Sequence, residues 1–183
     1  MSLLAITLAS WTLGPLAVEI HVTPQDDWKN TVANAQPGDE VIFEEGQYMT
    51  QGFWGVTLNG TEDEPIVIRA AEGANVEIIG VSNQNIVDVD GQYYSWIGFD
   101  MSAGSHGVRV ANSSHATFED LHIHDVGDVG ISCNRPDNTY EDITIRGLHI
   151  HDTNGFGECM YLGCNDGACT MFDSLVEWNW CHD

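Results

Sequence analysis

Short stretches of alternating apolar and polar residues follow one another along most of this chain. They stand out from residue 65 onward, at 66–68, 76–79 and 86–90, and Gly, Asn and Asp separate them. Alternation with a period of two over so few residues is typical of β-strands, and the residues between the stretches are turn formers. The pattern predicts an all-β protein, since no amphipathic helix of useful length is expected after residue 36.

The predicted strands repeat as a larger unit. Leu121–Asp125 recurs unchanged as Leu148–Asp152, and Gly107–Val110 resembles Gly130–Cys133. Self-similarity at about 20 to 30 residues indicates a solenoid, in which each unit buries its apolar face only by stacking on its neighbours. We therefore predict one right-handed parallel β-helix over residues 18–183, with about five coils of three short strands.

Repeated residues also predict the register between coils. Cys133-Asn134 recurs at Cys164-Asn165 and Ile150-His-Asp at Cys181-His-Asp, both at an offset of 31 residues, which suggests a coil without gaps. The preceding coil grows by four residues, which we assign to a loop at 134–139. The side chains predicted to face inward are Val108, Val110, Phe118, Leu121, Ile123, Ile131, Ile143, Ile145, Leu148 and Ile150.

A short helix is predicted ahead of the coils, at about residues 24–35. Thr23 suits an N-cap, and Pro24 suits the first helical position. Trp28, Val32 and Ala35 would form a narrow apolar stripe on this helix. A helix at the end of a solenoid can cover strand edges that would otherwise be unpaired, so we interpret it as a cap.

The charge balance is strongly acidic. The 28 Asp and Glu residues outnumber the 5 Lys and Arg residues, which gives a net charge of -23. Such a surface repels phosphate backbones and anionic lipids, so we expect no nucleic-acid partner. Uncompensated carboxylates also repel one another, and we expect divalent cations, with calcium as the natural choice, to relieve this repulsion.

The amino terminus and the cysteines bear on localisation. Residues 1–17 contain the uncharged apolar run Leu3–Ala17, which we interpret as a secretory signal, with an N-terminal strand or an anchor as alternatives. The run is short and interrupted by proline, so no membrane span is expected. Five cysteines fit an oxidising compartment. We therefore expect a monomer that is secreted or extracellular, including the periplasm and the cell surface.

The cysteine positions allow two alternative disulfides, which share Cys164. Cys133 and Cys164 would occupy equivalent sites on adjacent rungs, within the Cα separation that a disulfide accepts. Alternatively, Cys164 pairs with Cys169 and closes a tight loop. An odd number of cysteines leaves one over, and the predicted register makes Cys181 the unpaired residue.

A family resemblance rests on turn and core motifs. Ala35–Phe43 with Gly46–Tyr48, then Ile66–Gly73, then Asp142–Ile145 and the Ile-His-Asp repeats, resemble right-handed parallel β-helix proteins of the pectate-lyase-like superfamily. They are most similar to alginate lyases, chondroitin lyases and mannuronan epimerases. The resemblance implies β-elimination or C5 epimerisation on an acidic polysaccharide such as alginate, pectate or a glycosaminoglycan, with calcium. Since the chain stops at Asp183 in the middle of a coil, we expect it to be an N-terminal fragment.

The same motifs occur in β-helix proteins without enzymatic activity. The alternative function is therefore a non-catalytic module that serves as a surface, adhesion or carbohydrate-binding protein. A Lys or Arg within reach of calcium ligands would separate the two functions, and Arg109, Arg135 and Arg146 are the cations placed for this. No Walker loop, dinucleotide fingerprint, nucleophile elbow or EF-hand loop is found in the sequence.

Arg146 belongs to a predicted outward column with Glu119 and Glu177. Acid, base and acid on neighbouring rungs most simply form an ion-pair ladder. As a functional site, Arg146 would neutralise a uronate carboxylate while the two glutamates hold calcium. Arg135, in the expanded loop, is a second candidate catalytic cation. Glu158 is a further candidate metal ligand, together with Asp152 or Asp166.

Four histidines are predicted to point outward beside inward isoleucines. Adjacent rungs about 4.8 Å apart would place His124, His151 and His182 in one column. A straight column does not converge on a tetrahedral centre, so a ladder of polar residues is favoured over a zinc or copper site. The residues assigned to substrate binding are His122, His124, His149, His151 and Arg109.

Overall fold

The computed structural model describes residues 18–154 and 157–182, so the signal predicted at 1–17 lies outside the described residues. The strands are β1 (Glu19–Val22), β2 (Glu40–Phe43), β3 (Gly46–Met49), β4 (Gly55–Asn59), β5 (Ile66–Ala70), β6 (Val76–Ile79), β7 (Val87–Ile97), β8 (Asp100–Ser102), β9 (Val108–Glu119), β10 (His122–Val126), β11 (Val129–Cys133), β12 (Thr139–Arg146), β13 (His149–Thr153), β14 (Glu158–Leu162), β15 (Thr170–Phe172), β16 (Leu175–Glu177) and β17 (Trp180–Cys181). Helix α1 spans Trp28–Ala33, and a 3-10 turn spans Asn165–Gly167.

Every strand pairing is parallel, and the strands wind around three sides. Side A consists of β4, β11, β14, β15, the first halves of β7 and β9, and the start of β12. Side B consists of β1, β2, β5, β16 and the remaining parts of β7, β9 and β12. Side C is the six-stranded sheet of β3, β6, β8, β10, β13 and β17. The predicted fold class, an all-β parallel β-helix with a short N-terminal helix, is confirmed.

Corners between the sides are made by single residues with a left-handed backbone. Tyr93, His115, Asp142 and Asp173 turn side A into side B, with φ between 50° and 51°. Asp125 near the end of β10 and Asp152 near the end of β13 adopt the same conformation as the chain leaves side C. Asp tolerates this region because its short side chain hydrogen-bonds locally. Repeated corners at equivalent positions keep the coils in register.

Stacked apolar side chains fill the interior. All ten side chains predicted to face inward are buried, none with more than 1% of its surface exposed. Near the first coil the core is aromatic, with Trp28 packed edge-on against Phe43, Tyr48 and Trp54. Since each coil buries its apolar face against the next, the strands need no second sheet to cover them. In the described part of the chain, no helix is long and apolar enough to cross a membrane.

Helix α1 is shorter than the sequence predicted. It begins at Trp28, because Thr23 does not act as its N-cap. Thr23 instead donates from its backbone amide and its hydroxyl to Asp26 Oδ2, each at 2.7 Å, and so closes a turn ahead of the helix. The predicted apolar stripe does face the interior, since Trp28 and Val32 are buried.

The disulfide prediction is partly wrong. Cys164 bonds to Cys169, which confirms the second alternative, but Cys181 bonds to Cys159 and Cys133 is a free, buried thiol. Burial raises the pKa of Cys133 to about 12. The cause of the error is the register, because Cys133 lies opposite Leu162 and not opposite Cys164.

Candidate functional site

The sequence-predicted site residues fall on three different sides of the coil. On side A, Asp88 is the register neighbour of Arg109 and the ion-pair partner of Arg135. The column of Glu119, Arg146 and Glu177 lies on side B, and the four histidines lie on side C. Glu158 is exposed on β14, also on side A. The side chains therefore cannot act together in one site.

On side B, Arg146 is held by its neighbours. Glu119, Arg146 and Glu177 are aligned on three adjacent rungs, as predicted. The Nε atom of Arg146 lies 2.9 Å from Oε1 of Glu177, which is an ion-pair distance, although the N–H bond does not point along it. With a carboxylate on each side, this guanidinium is already neutralised.

On side A, the arginines are placed differently. Arg109 lies between Asp88 and Ser132 in the register of adjacent rungs. Arg135 lies in the predicted loop and reaches back to Asp88, to which its Nη2 donates a hydrogen bond. Asp88 is nearly buried and also accepts from Nδ2 of Asn85 at 3.2 Å. The carboxylate that is Arg109's neighbour is thus occupied by Arg135 and Asn85.

The loop that carries Arg135 is fixed by a tyrosine. The backbone N–H of Arg135 donates to the hydroxyl of Tyr140 at 3.0 Å, and that hydroxyl donates to the carbonyl of Val110 at 3.2 Å. Tyr140 is itself fully buried. A buried anchor of this kind holds the loop in one place and keeps the Arg135 side chain over side A.

Several polar atoms on side A have no partner among the described residues. The Nε atoms of Arg109 and Arg135 and the Oγ atom of Ser132 are buried and make no hydrogen bond. Buried donors are nearly always satisfied in proteins, by protein groups, by water or by a ligand. Two guanidinium groups with unused donors form a place where an anionic group would be bound.

A cavity of about 260 Å³ lies on side A and is lined by Arg135, but not by Arg109 or Ser132. Its lining includes Arg135, Asp88 and Asp90, together with Phe53, which is 66% exposed. A flat aromatic face beside polar groups is typical of ligand sites. A larger cavity of about 480 Å³ lies next to α1, and Phe53 lines it as well. Lys29 lines this larger cavity, but its ammonium group donates a hydrogen bond to the carbonyl of Thr50.

His106, in the connection between β8 and β9, is a titratable group that the sequence reasoning missed. Burial lowers the pKa of His106, and the charge of Arg109 lowers it further, against the opposing effects of Asp128 and Asp88. The imidazole is therefore neutral near neutral pH and can accept a proton. Asp88 and Phe53 were missed as well, because neither stands in a repeat and nothing in the sequence connects them with Arg135.

On side C, the histidines form a lattice of stacked rings. His122 stacks on His149 with ring centroids 4.7 Å apart, and His124 stacks on His151 at 5.3 Å. The register places the pairs as predicted. His182 continues the second column, stacked on His151 at 5.0 Å.

Two of these histidines have shifted pKa values in opposite directions. Burial alone would lower the pKa of His124, but hydrogen bonds to Asp125 and Asp100 outweigh it and raise the pKa. Burial lowers the pKa of His149, and the neighbouring histidines lower it further. Relative to an ordinary histidine, the surroundings of His124 therefore stabilise its charged form, whereas those of His149 stabilise its neutral form.

The three predicted metal ligands are not brought together. Within the described residues, Glu119, Glu177 and Glu158 do not join any group of three potential ligand atoms that lie within 4.8 Å of one another. The groups that do meet this distance are on side C. They are His122 with His149 and His151, and Asp100 with His122 and His124.

Comparison with known proteins supports the fold and little beyond it. No protein-family model matches the sequence, and no curated protein is significantly similar to it. An alginate lyase from Paenibacillus sp. str. FPU-7 superposes with a TM-score of 0.64 at 19% identity, over 88% of this chain and 65% of that enzyme. Pectate lyase Pel9A superposes with a TM-score of 0.55 at 19% identity, over 78% of this chain and 47% of that enzyme.

A third similar structure is a mannuronic acid specific polysaccharide family 6 lyase from human gut microbiota, with a TM-score of 0.52 and 15% identity. The superposition covers 86% of this chain and 48% of that lyase. This chain thus spans between about half and two thirds of the length of the three lyases. All three share its parallel β-helix fold.

Proposed function

We propose that side A binds an acidic polysaccharide and acts on it by β-elimination, as a lyase of the polysaccharide-lyase type. The observation that carries this proposal is the pair of arginines on side A: Arg109 forms no ion pair among the described residues, and the buried Nε donors of Arg109 and Arg135 have no hydrogen-bond partner there. In a protein with a net charge of -23, such donors are a specific place for a carboxylate. The lyase names of the structural neighbours support the same substrate class.

The chemistry follows from the charges on side A. A uronate carboxylate bound by Arg109 and Arg135 is neutralised, which makes the proton on the adjacent C5 carbon more acidic. The neutral imidazole of His106 takes this proton, the C4–O4 bond breaks, and a C4=C5 double bond forms. The imidazolium then returns the proton to O4, so that the leaving sugar departs as an alcohol and His106 is neutral again.

Calcium is the second source of positive charge in this proposal. Asp90 lines the same cavity as Arg135, and its Oδ1 is buried without a hydrogen-bond partner among the described residues. Carboxylate oxygens are the ligands that calcium prefers, and Asp90 lines this cavity, whereas the predicted glutamates do not. A calcium ion there would add charge for the polysaccharide carboxylates. Two disulfides agree with a secreted or extracellular location.

Calorimetric titration with alginate, pectate and chondroitin oligomers, with and without calcium, tests the binding. Arg109→Ala should weaken binding at least tenfold, which corresponds to about 1.4 kcal/mol. Arg146→Ala is the matched control, because that arginine is paired on side B, and it should leave the titration unchanged. Flat titrations of the parent protein, or equal losses in both variants, would contradict the proposal.

The ultraviolet absorbance of unsaturated uronates tests the elimination separately. We expect product from the parent protein and none from His106→Gln, although the variant should still bind the oligomer. Saturable binding without any unsaturated product would favour the alternative function, a non-catalytic carbohydrate-binding module on the same groove.

A further inference from the structure

We infer that side C carries a binding site for a transition-metal ion, formed by His122, His149 and His151. One ring nitrogen from each histidine lies within 4.8 Å of the other two. This site is separate from side A, and it does not depend on the function proposed there. The argument rests on the tautomers that the hydrogen bonds impose.

Carboxylates fix the proton positions of two of these rings. Nδ1 of His122 lies 3.0 Å from Oδ2 of Asp100, and Nδ1 of His151 lies 2.7 Å from Oδ2 of Asp152. An ionised carboxylate only accepts hydrogen bonds, so each Nδ1 carries the proton. In the neutral rings, both Nε2 atoms are therefore lone-pair acceptors.

These two lone pairs face each other. Nε2 of His122 and Nε2 of His151 are 2.8 Å apart, too close for two acceptors unless a positive charge lies between them. Two nitrogens bound to one tetrahedral zinc at about 2.0–2.1 Å would be separated by about 3.3 Å. A small movement of the rings would therefore allow both Nε2 atoms, whose lone pairs otherwise repel each other, to bind one metal ion.

The diagonal arrangement explains how a ladder can still converge. His122 belongs to one column and His151 to the next, on the adjacent rung, and the two rings turn toward each other across the columns. His149 lies on the rung of His151 and stacks on His122. The three side chains form a triangle, and Nε2 of His149 also lies 2.9 Å from Nε2 of His182.

His124 is excluded from the ligand set by its own contacts. Its Nδ1 lies 2.7 Å from Asp125 and its Nε2 lies 2.8 Å from Asp100, so both nitrogens face carboxylates and neither offers a lone pair. The carboxylates of Asp100 and Asp152 orient His122 and His151 through the nitrogens that do not face the metal. Carboxylate–histidine–metal arrangements of this kind fix the tautomer and raise the affinity of the ligand.

Imidazole nitrogens select the metal class. They suit zinc, copper and nickel, whereas calcium and magnesium prefer oxygen ligands. The carboxylates elsewhere in this protein prefer calcium, so excess calcium would occupy them. A site on side C is therefore distinguished by its persistence in excess calcium.

The test is a calorimetric titration of the untagged, metal-stripped chain with zinc chloride in excess calcium. We expect one zinc per chain, with affinity reduced at least tenfold in His122→Gln, His149→Gln and His151→Gln. His21→Gln is the matched control, since His21 lies on a strand of side B beside Glu44, and it should bind as the parent does. Zinc displaced by calcium, or an equal loss in the control, would overturn the site.

Two further measurements guard against a variant that fails to fold. Asp152→Asn removes the orienting carboxylate but keeps a residue that tolerates the left-handed corner, and it should weaken zinc binding by about tenfold or more. Cobalt(II) added to the parent protein should give the intense visible absorption of a tetrahedral, nitrogen-bound ion. The weak absorption of an octahedral, oxygen-bound cobalt ion would overturn the proposal.

Discussion

Sides A and B are built by the same strands, β7 and β9, which run around one corner, yet the two sides use their arginines differently. On side B, Arg146 lies between two glutamates in register and is ion-paired with Glu177 at 2.9 Å. On side A, Arg109 lies between Asp88 and Ser132, and Asp88 is already bonded to Arg135 and Asn85.

This difference shows what the register of a β-helix can and cannot reveal. Both arginines face outward next to an acidic residue, so the alternation of residues treats them alike. The distinction lies in how many carboxylates each arginine has beside it. On side B, two glutamates flank one arginine, and the row is a ladder that holds coils together. On side A, Asp88 is the register neighbour of Arg109 but is paired with Arg135, which leaves Arg109 for a ligand.

The largest effect is expected from Asp88→Asn, which removes the charge that holds Arg135 over side A. Asp88 is nearly buried and receives hydrogen bonds from Arg135 and Asn85. Hydrogen bonds to charged groups contribute about 1.5–3 kcal/mol, so we expect the free energy of unfolding to fall by about 2 kcal/mol. Urea denaturation measures this free energy of unfolding. An unchanged midpoint would mean that this ion pair does not fix the loop.

A smaller effect, opposite in sign on the two sides, is expected when each arginine is replaced by methionine. Arg109→Met removes a guanidinium that, unlike that of Arg146, forms no ion pair among the described residues, and it keeps a flexible apolar chain, so we expect a gain of about 0.5–1 kcal/mol. Arg146→Met breaks a half-exposed ion pair and should lose about 0.5 kcal/mol. Thermal unfolding of both variants measures these changes in stability. A loss of stability at both positions would contradict the expected difference between the two sides.

The periodic part of the fold was predictable, because a stacked coil repeats its apolar positions. All ten predicted inward side chains and the pairing of His124 with His151 are correct for this reason. The cysteine pairing was not predictable from the same offsets. Strands β12 and β15 pair at an offset of 31 residues, but β11 and β14 pair at 29, since the loop before Thr170 takes up two residues more than the loop before Thr139. The repeated Cys-Asn pairs therefore do not occupy equivalent positions on adjacent rungs.

The candidate sites depend on contacts that periodicity does not contain. Arg135 and Asp88 are 47 residues apart and two rungs apart, and they meet only because the loop folds back along the stack. On side C, the predicted columns are correct, but the rings of His122 and His151 turn toward each other across them. Side-chain rotation and loop direction are set by local packing and hydrogen bonds, which the spacing of residues does not specify.

The smallest effect is expected in the pH dependence of stability, and it arises from His106, in the connection between β8 and β9. Burial and Arg109 lower the pKa of His106 below its ordinary value of 6.5, against the opposing effects of Asp128 and Asp88. Between the lowered pKa and 6.5, the unfolded chain binds more protons than the folded chain does. The free energy of unfolding therefore rises with pH through this window, and this contribution is lost as the pH falls below 6.5.

Urea denaturation of the parent protein and of His106→Gln, from about pH 5 to about pH 8, isolates this contribution. The parent should lose stability relative to the variant as the solution becomes acidic, and the difference should level off above the ordinary pKa of histidine. Arg109→Met should flatten the difference, because it removes one of the two causes of the lowered pKa. A parent that gains stability relative to His106→Gln on acidification would show that Asp128 and Asp88 dominate the environment of His106, and that the positive charge of side A does not reach it.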